Sequence, residues 1–213
     1  MPNERIGWLA VITALHGDVE TARSAIDKAY PDGEDQFAMS AWAYYHTMAA
    51  SMAGDARWAM WAAERWVSAG ADRSGVAQEH YIRLDWHWAR ALTGDDPAGR
   101  AVEAERLLAA TLLDPPRWGI AYHYGLIAEM WLAAGLPDAA AIALDRADRA
   151  LTTHGQRYAE GLLLLLRAHL LRARDEPADV VRAAAEAARA RSAERGTHLF
   201  ARRAERFLAE IAM

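Results

Sequence analysis

Apolar residues recur along this chain at the spacing of amphipathic helices, and the apolar runs stop at similar turns at regular intervals. Each turn follows a helical run rich in aromatic residues and precedes one rich in alanine. The turns are centred on Gly17, Gly54, Gly94, Gly135 and Asp175, so successive turns lie 37, 40, 41 and 40 residues apart. A nearly fixed period of this size is typical of proteins built from stacked helix pairs.

The pattern predicts an all-α fold, a right-handed α-solenoid of about five helix pairs with a C-terminal capping helix. The repeats are predicted at residues 5–30, 37–70, 76–113, 118–154 and 158–196, and the capping helix at 198–212. We expect a single domain, because each pair can bury its apolar face only against its neighbours. In the last helix we expect Arg202, Arg203, Glu205 and Arg206 on a polar outer side, as a terminal repeat requires.

Composition narrows the function classes. The chain of 213 residues has no cysteine, which excludes disulfides, thiol nucleophiles and thiolate metal sites. Its formal net charge of −5 argues against broad electrostatic binding of nucleic acid. No apolar run reaches the roughly 18 residues of a membrane span, and no basic-then-apolar signal opens the chain. We therefore expect a cytoplasmic protein that binds neither nucleic acid nor a membrane directly.

Small residues recur at fixed offsets after the turns. Ala59 and Ala63 stand five and nine residues after Gly54, and the same offsets from Gly135 give Ala140 and Leu144. In this respect the chain resembles the tetratricopeptide repeat, lengthened to 37–41 residues, although that family's aromatic and proline positions are only partly matched. The resemblance implies a binding module without catalytic residues or a cofactor.

A narrower resemblance covers the C-terminal third. It is carried by Ala150-Leu151, Gly155 through Glu160, Leu170 through Ala173, Gly196 through Phe200, Arg203-Ala204 and Leu208 through Glu210. This run is similar to the repeat region of large bacterial LuxR-type and antibiotic-regulatory activators, which senses an inducer or partner and controls an ATPase and a DNA-binding domain. The chain has no Gly-x-x-x-x-Gly-Lys-Ser/Thr loop and no helix-turn-helix unit outside the repeats. We therefore expect the sensor domain of a transcriptional regulator, or a free-standing repeat protein.

The resemblance also implies where a ligand binds. In tetratricopeptide arrays the first helix of each pair lines the concave surface, at positions about six, ten and thirteen residues before the turn. Transferred here, these positions predict an aromatic-lined groove of Tyr44, Met48, Tyr81, Trp88, Tyr122, Glu129 and His169. Such a groove suits a protein or peptide partner, or a small hydrophobic or aromatic effector. Aromatic residues at helical spacing are also typical of a core, and that alternative stays open.

Three aromatic triplets test this alternative. Three adjacent helical positions span about 200° of the helix circumference, so they cannot all face one way. At least one member of each triplet is therefore expected to face the groove or solvent. The triplets are Tyr44-Tyr45-His46, Trp86-His87-Trp88 and Tyr122-His123-Tyr124.

Two other functions remain open. One is a structural scaffold or homo-oligomerisation module, such as a homodimer, with an exposed patch around Trp58 or Trp61. The other is a small enzyme that uses Glu129 with Tyr122 and His123, since apolar residues surround Glu129 in the sequence.

Charged residues elsewhere have simpler interpretations. We expect Glu129 to pair with an arginine of an adjacent helix, Arg90 or Arg167. His80 and His87 lie seven residues apart on one helix face, but no third ligand completes a metal motif. The C-terminal arginines alternate with Glu186, Glu194 and Glu205, which predicts a solvated, ion-paired face rather than a nucleic-acid patch. These arginines are Arg189, Arg191, Arg195, Arg202, Arg203 and Arg206.

Overall fold

Helices joined by short turns make up the described part of the chain. The computed structural model describes residues 2–30, 35–73, 78–111 and 119–212, which contain eleven α-helices, two single turns of 3-10 helix and no β-strand. The helices are α1 (Pro2–Leu15), α2 (Val19–Ala29), α3 (Gln36–Ala53), α4 (Ala56–Ser68), α5 (Glu79–Leu92), α6 (Pro97–Thr111), α7 (Ile120–Ala133), α8 (Pro137–His154), α9 (Glu160–Ala173), α10 (Ala178–Glu194) and α11 (His198–Ile211). The prediction of an all-α fold is confirmed for these residues. The predicted boundaries at 76, 113 and 118 lie outside them.

All five predicted turns share one hydrogen-bond pattern. In the turn after α3, Gly54 N–H donates to Ser51 O at 3.1 Å, and Asp55 N–H donates to Ala50 O at 2.9 Å. The other four turns repeat these two bonds, which close a helix in the Schellman manner. The central residue is always left-handed, with φ from +55° at Asp175 to +101° at Gly17. Glycine therefore ends a helix here for a conformational reason.

Aspartate begins the next helix in two of these turns. The Asp18 carboxylate accepts from Thr21 N–H at 3.0 Å, and that of Asp55 accepts from Trp58 N–H at 2.9 Å. Each carboxylate thus satisfies one of the free amide groups at a helix start. In these two turns the Gly-Asp pair is therefore a complete local signal, because it ends one helix and caps the next. After Gly94 the accepting carboxylate is that of Asp96, which accepts from Gly99 N–H at 3.2 Å.

The helices form two layers. The odd-numbered helices contact one another in chain order from α1 to α11, and we call them the inner layer. Each even-numbered helix packs against the odd helices before and after it. The last helix also contacts α1 and α3, so the inner layer closes on itself. Local pattern alone does not predict this closure.

Helix α3 lies at the centre of the inner layer. It contacts α1, α2, α4, α5 and α11, and every residue from Met39 to Met52 is buried. A helix that is apolar all round is a buried one. The triplet Tyr44-Tyr45-His46 is therefore fully buried, and the expectation that one member faces a groove or solvent is wrong for it. Trp86 and Tyr124 of the other triplets are partly exposed.

Helix α11 differs from its predicted form at one residue. Arg202, Glu205 and Arg206 are exposed, as expected for a terminal helix. Arg203, predicted on the same polar side, is only 7% exposed and lies with Leu199 on the buried face. The prediction for Arg203 is wrong because Arg203 lies on the buried face of α11. This face packs against other helices of the inner layer.

The left-handed turns yield a stability prediction. Replacing Asp175 by glycine should raise the free energy of unfolding by up to about 1 kcal/mol, because glycine adopts positive φ without the Cβ penalty. The matched control is Gly135→Ala at the same place in the preceding turn, where φ is +70° and an added Cβ meets nothing within 4 Å. That change should cost about 1 kcal/mol. Urea unfolding followed by circular dichroism measures both, and a less stable Asp175→Gly variant would contradict the backbone argument.

Candidate functional site

The seven residues predicted to line a groove all lie on the inner layer, and four of them belong to the core. Tyr44, Met48, Trp88 and Tyr122 are between 0% and 6% exposed. Tyr81, Glu129 and His169 keep part of their surface. The first four residues therefore belong to the core, which is the alternative that the sequence left open. Unless the helices rearrange, a ligand can contact only Tyr81, Glu129 and His169 of the seven.

Buried polar contacts hold the inner layer together across the centre. The hydroxyl of Tyr122 on α7 donates to Ser51 Oγ on α3 at 2.7 Å. This bond crosses the inner layer, in which α5 lies between α3 and α7. Glu129, seven residues further along α7, accepts from Trp88 Nε1 of α5 at 2.9 Å. The predicted groove positions are thus occupied by contacts between the helices themselves.

Arg203 is the partner of Glu129. Its Nη2 lies 2.5 Å from Glu129 Oε1, and its Nη1 donates to the carbonyls of Ser51 and Met52 at 3.2 and 3.4 Å. Their side chains are 7% and 17% exposed, so this is a largely buried ion pair. It joins the last helix to α7 and to the end of α3.

The expected partners of Glu129 were wrong. Arg90 pairs with Asp95 in the turn that follows its own helix, and Arg167 pairs with Asp145 and Asp148 of α8. Arg90 thus pairs with an acid in the next turn, and Arg167 pairs with acids of an adjacent helix. Glu129 is left to a residue 74 positions away in the sequence.

A cavity of about 390 Å³ lies beside this ion pair, between the C-terminal parts of α5, α7 and α9. Apolar side chains and three ionisable ones line it: Leu92, Glu129, Leu132, Ala133, Leu166, His169, Arg172 and Ala173. Leu92 also borders a wider, more open recess of about 700 Å³ at the turn after α3, which Arg206 lines from α11. Two predicted residues, Glu129 and His169, therefore meet at one concave site.

His169 is the neutral ionisable group of the cavity. Burial, together with the charges of Arg203 and Arg172, lowers the pKa of His169 to about 3. The His169 ring lies 4.0 Å from the Phe207 ring and is neutral near pH 7. Burial and the charge of Arg203 also lower the pKa of Arg206. Any group that enters this site therefore meets a neutral imidazole, the guanidinium of Arg172 and the paired carboxylate of Glu129.

A second polar cluster is buried further along the inner layer. Burial raises the pKa of Asp85 to about 7, against the hydrogen bonds of Thr47 and Ser51, which lower it. Its Oδ1 atom has no hydrogen-bond partner among the described residues. Sequence reasoning missed this carboxylate, although its spacing from Ile82 and Trp88 places it on an apolar helix face.

His46 is the centre of a third cluster, between α2, α3 and α4. Its Nε2 lies 3.0 Å from Asp27 Oδ1, and its Nδ1 accepts from Trp58 Nε1 at 3.2 Å. Burial lowers the pKa of His46 to about 4, against the charge of Asp27. The neutral ring thus has one donor and one acceptor, and both are used. This arrangement accounts for a buried histidine without a ligand.

Of the three residues of the enzyme alternative, Tyr122 and His123 are in edge-to-face contact, with ring centroids 5.3 Å apart, whereas Glu129 lies apart from them. Tyr122 donates to Ser51, and His123 Nδ1 lies 2.9 Å from Gly119 O. Glu129 is held by Arg203, about 10 Å further along the axis of α7 at 1.5 Å per residue. Each of the three side chains has a separate hydrogen-bond partner in this arrangement.

The predicted surface ion pairs are present in part, since Arg189 pairs with Glu186 and Arg191 with Glu194. Arg191 and Arg195 also pair with Glu160, which the sequence did not predict. His80 is exposed whereas His87 is partly buried, so they face different surroundings. No group of three histidines and acids suited to a metal ion occurs among the described residues.

Comparison with known proteins finds no relatives. No protein-family model, no curated protein and no solved structure matches this chain. The resemblance to tetratricopeptide repeats and to regulator sensor regions therefore stays a prediction. In the part of the chain that the structure describes, no helix is long and apolar enough to cross a membrane.

The buried ion pair yields a stability prediction. Arg203→Ala should lower the free energy of unfolding by about 3–5 kcal/mol, because it leaves the Glu129 carboxylate largely buried without its charged partner. The neighbouring exposed residue gives the control, since Arg202→Ala should change stability by about 0.5 kcal/mol or less. Urea unfolding measures both changes.

A double-mutant cycle with Glu129→Ala isolates the pair itself. Once Glu129 is absent, Arg203→Ala should cost less, because no carboxylate remains to be stranded. Equal costs in the two backgrounds would show that Arg203 acts through its backbone contacts at Ser51 and Met52 and not through the ion pair.

Proposed function

We propose that the protein is a non-catalytic ligand-binding repeat module, and that the cavity between α5, α7 and α9 is its binding site. The observation that carries this proposal is a concave space of about 390 Å³ with mainly apolar walls and a few ionisable groups. Small-molecule sites typically have this size and this mixture. Glu129 and His169, two residues that the sequence predicted for binding, line the cavity.

A small effector fits the cavity better than a peptide. An extended or helical peptide needs an open groove with several side-chain pockets along it. The inner layer is instead filled by buried residues such as Trp88 and Tyr122. The cavity is compact and lies at one end of the helices, which favours a ligand of limited length.

The fold and the resemblance extend the proposal. We propose that the helix pairs form a right-handed α-solenoid of five tetratricopeptide-like repeats with a capping helix. The nearly constant period and the shared hydrogen bonds of the five turns support this. The similarity of the C-terminal third to regulator sensor regions supports a role as the cytoplasmic sensor domain of a bacterial transcriptional regulator.

Native mass spectrometry of the purified protein tests the site. After incubation with the small-molecule fraction of a lysate of its source, the wild-type protein should carry a discrete small-molecule adduct. Ala133→Trp should abolish the adduct, because the indole fills the cavity from its exposed rim. Ala187→Trp, on the exposed side of α10, is the matched control and should retain it.

The controls decide how the result is understood. Circular dichroism must show that both variants are folded. An adduct that persists in folded Ala133→Trp would move the ligand away from this cavity, and the absence of any adduct on the wild-type protein would count against a small-molecule function.

Self-association is a second candidate function, and an exposed apolar stripe on α1 favours it. Ile6, Leu9 and Ile12 lie on one side of this helix and are 40%, 61% and 47% exposed. The tryptophan patch proposed from the sequence is less suitable, since Trp58 is buried and Trp61 lies under the guanidinium groups of Arg23 and Arg65. Neighbouring exposed apolar residues of this kind are typical of contact surfaces.

Sedimentation velocity over a range of protein concentrations tests this candidate. A homodimer formed through α1 should dissociate when Leu9 is replaced by glutamate, because the interface would then bury an unpaired charge. Ile142→Glu, on an exposed and isolated position of α8, should leave the dimer unchanged. A wild-type protein that stays monomeric at every concentration would exclude self-association.

A further inference from the structure

The ionisable groups on the cavity wall differ in how firmly the protein holds them. Both oxygens of Glu129 are engaged, one by Arg203 and the other by Trp88. Arg172 pairs with Glu210 at 3.4 Å, and both side chains are about half exposed at 50% and 55%. Its guanidinium also lies over the ring of Phe207, 4.9 Å from the ring centroid. Exposed ion pairs of this kind contribute little to stability. Arg172 can therefore exchange its partner for a ligand, whereas Glu129 cannot.

The two charged side chains that line the cavity, Glu129 and Arg172, are compensated to different degrees. The charge of Glu129 is balanced by Arg203 in a largely buried pair. The charge of Arg172 is balanced only by the half-exposed Glu210. The neutral ring of His169 can add an N–H donor without adding charge. A ligand with a single negative charge can replace Glu210 as the partner of Arg172.

The rest of the wall is apolar. Leu92, Leu132 and Leu166 come from three different helices, and Ala133 and Ala173 leave space at the rim. Burying an apolar body here is favourable in proportion to the area removed from water. A planar guanidinium binds a carboxylate through two parallel hydrogen bonds, which gives the head of the ligand a defined position.

We propose that the cavity binds a small monocarboxylate with an apolar body. The carboxylate lies on the guanidinium of Arg172, and the body packs against Leu92, Leu132 and Leu166. This inference rests on the proposed function, because it names the ligand class of the same site.

Calorimetric titration with matched acids and amides tests the ligand class. Octanoate and 3-phenylpropanoate provide an aliphatic and an aromatic body, and octanamide and 3-phenylpropanamide are their neutral counterparts. At neutral pH at least one acid should bind the wild-type protein about tenfold or more tightly than its amide, as expected for a charge-assisted hydrogen bond. Arg172→Gln should remove this preference. Arg174→Gln should keep it, since Arg174 pairs with Asp138 and does not line the cavity.

Three outcomes would overturn the assignment of a carboxylate: amides that bind as tightly as their acids, an unchanged preference in Arg172→Gln, or no binding of any of the four probes. The Ala133→Trp variant separates this failure from failure of the site. If it abolishes the binding of acids and amides alike, the cavity is a ligand site even where the acid has no advantage. If every probe binds this variant as it binds the wild-type protein, the proposed site itself is wrong.

Discussion

The buried ion pair between Arg203 and Glu129 is the contact on which the arrangement of the inner layer depends. Removing two charges from water costs several kcal/mol per ion, and only good geometry with further hydrogen bonds offsets this cost. Here Trp88 occupies the second carboxylate oxygen, and the carbonyls of Ser51 and Met52 accept from the guanidinium. A shift of α11 by one turn would strand both charges. The pair therefore restricts the last helix to one position against α3 and α7, whatever the net contribution of the pair to stability.

Helix ends were predictable because their causes are local. A left-handed residue after the last helical turn and a capping aspartate before the next one act within about six residues of each other. Gly54 and Asp55 show both devices, and the turn at Asp175 keeps the same bonds without glycine. The period of the sequence was therefore sufficient to place the helices, apart from boundaries that lie outside the described residues.

The partner of Glu129 was not predictable from the helices next to α7 in the chain. That partner, Arg203, lies on α11, the helix that closes the inner layer. The relevant signal is present in α11, where Leu199, Phe200, Arg203 and Phe207 follow the spacing of one helix face. An arginine at an apolar position indicates a buried partner. Choosing that partner requires knowing that the first and last helices meet, which depends on contacts between residues more than 150 positions apart, such as Arg203 with Ser51.

The groove prediction assumed that the inner layer presents an open concave face. Because α11 contacts α1 and α3, the layer closes on itself and this assumption does not hold. Positions transferred from an open array fall on side chains that the inner layer uses for its own packing, including Trp88 and Tyr122. Two of the transferred positions, Glu129 and His169, line the cavity at the C-terminal ends of α5, α7 and α9. The aromatic residues of the sequence thus identify the inner layer correctly as a set of facing helices, but most of them belong to its core.

The charge states of the interior also decide where a charged ligand can bind. Burial keeps His46 and His123 neutral by lowering the pKa of each to about 4, and the buried charges of Arg203 and Glu129 already compensate each other. A further charge deep in the inner layer would lack a partner and would pay its full desolvation cost. At the rim the guanidinium of Arg172 is half exposed, so a carboxylate there keeps part of its hydration while its apolar body enters the cavity. A buried charge needs a partner, which is why Arg203 and Glu129 are paired. For the same reason the charge of a ligand is expected at the open edge of the site.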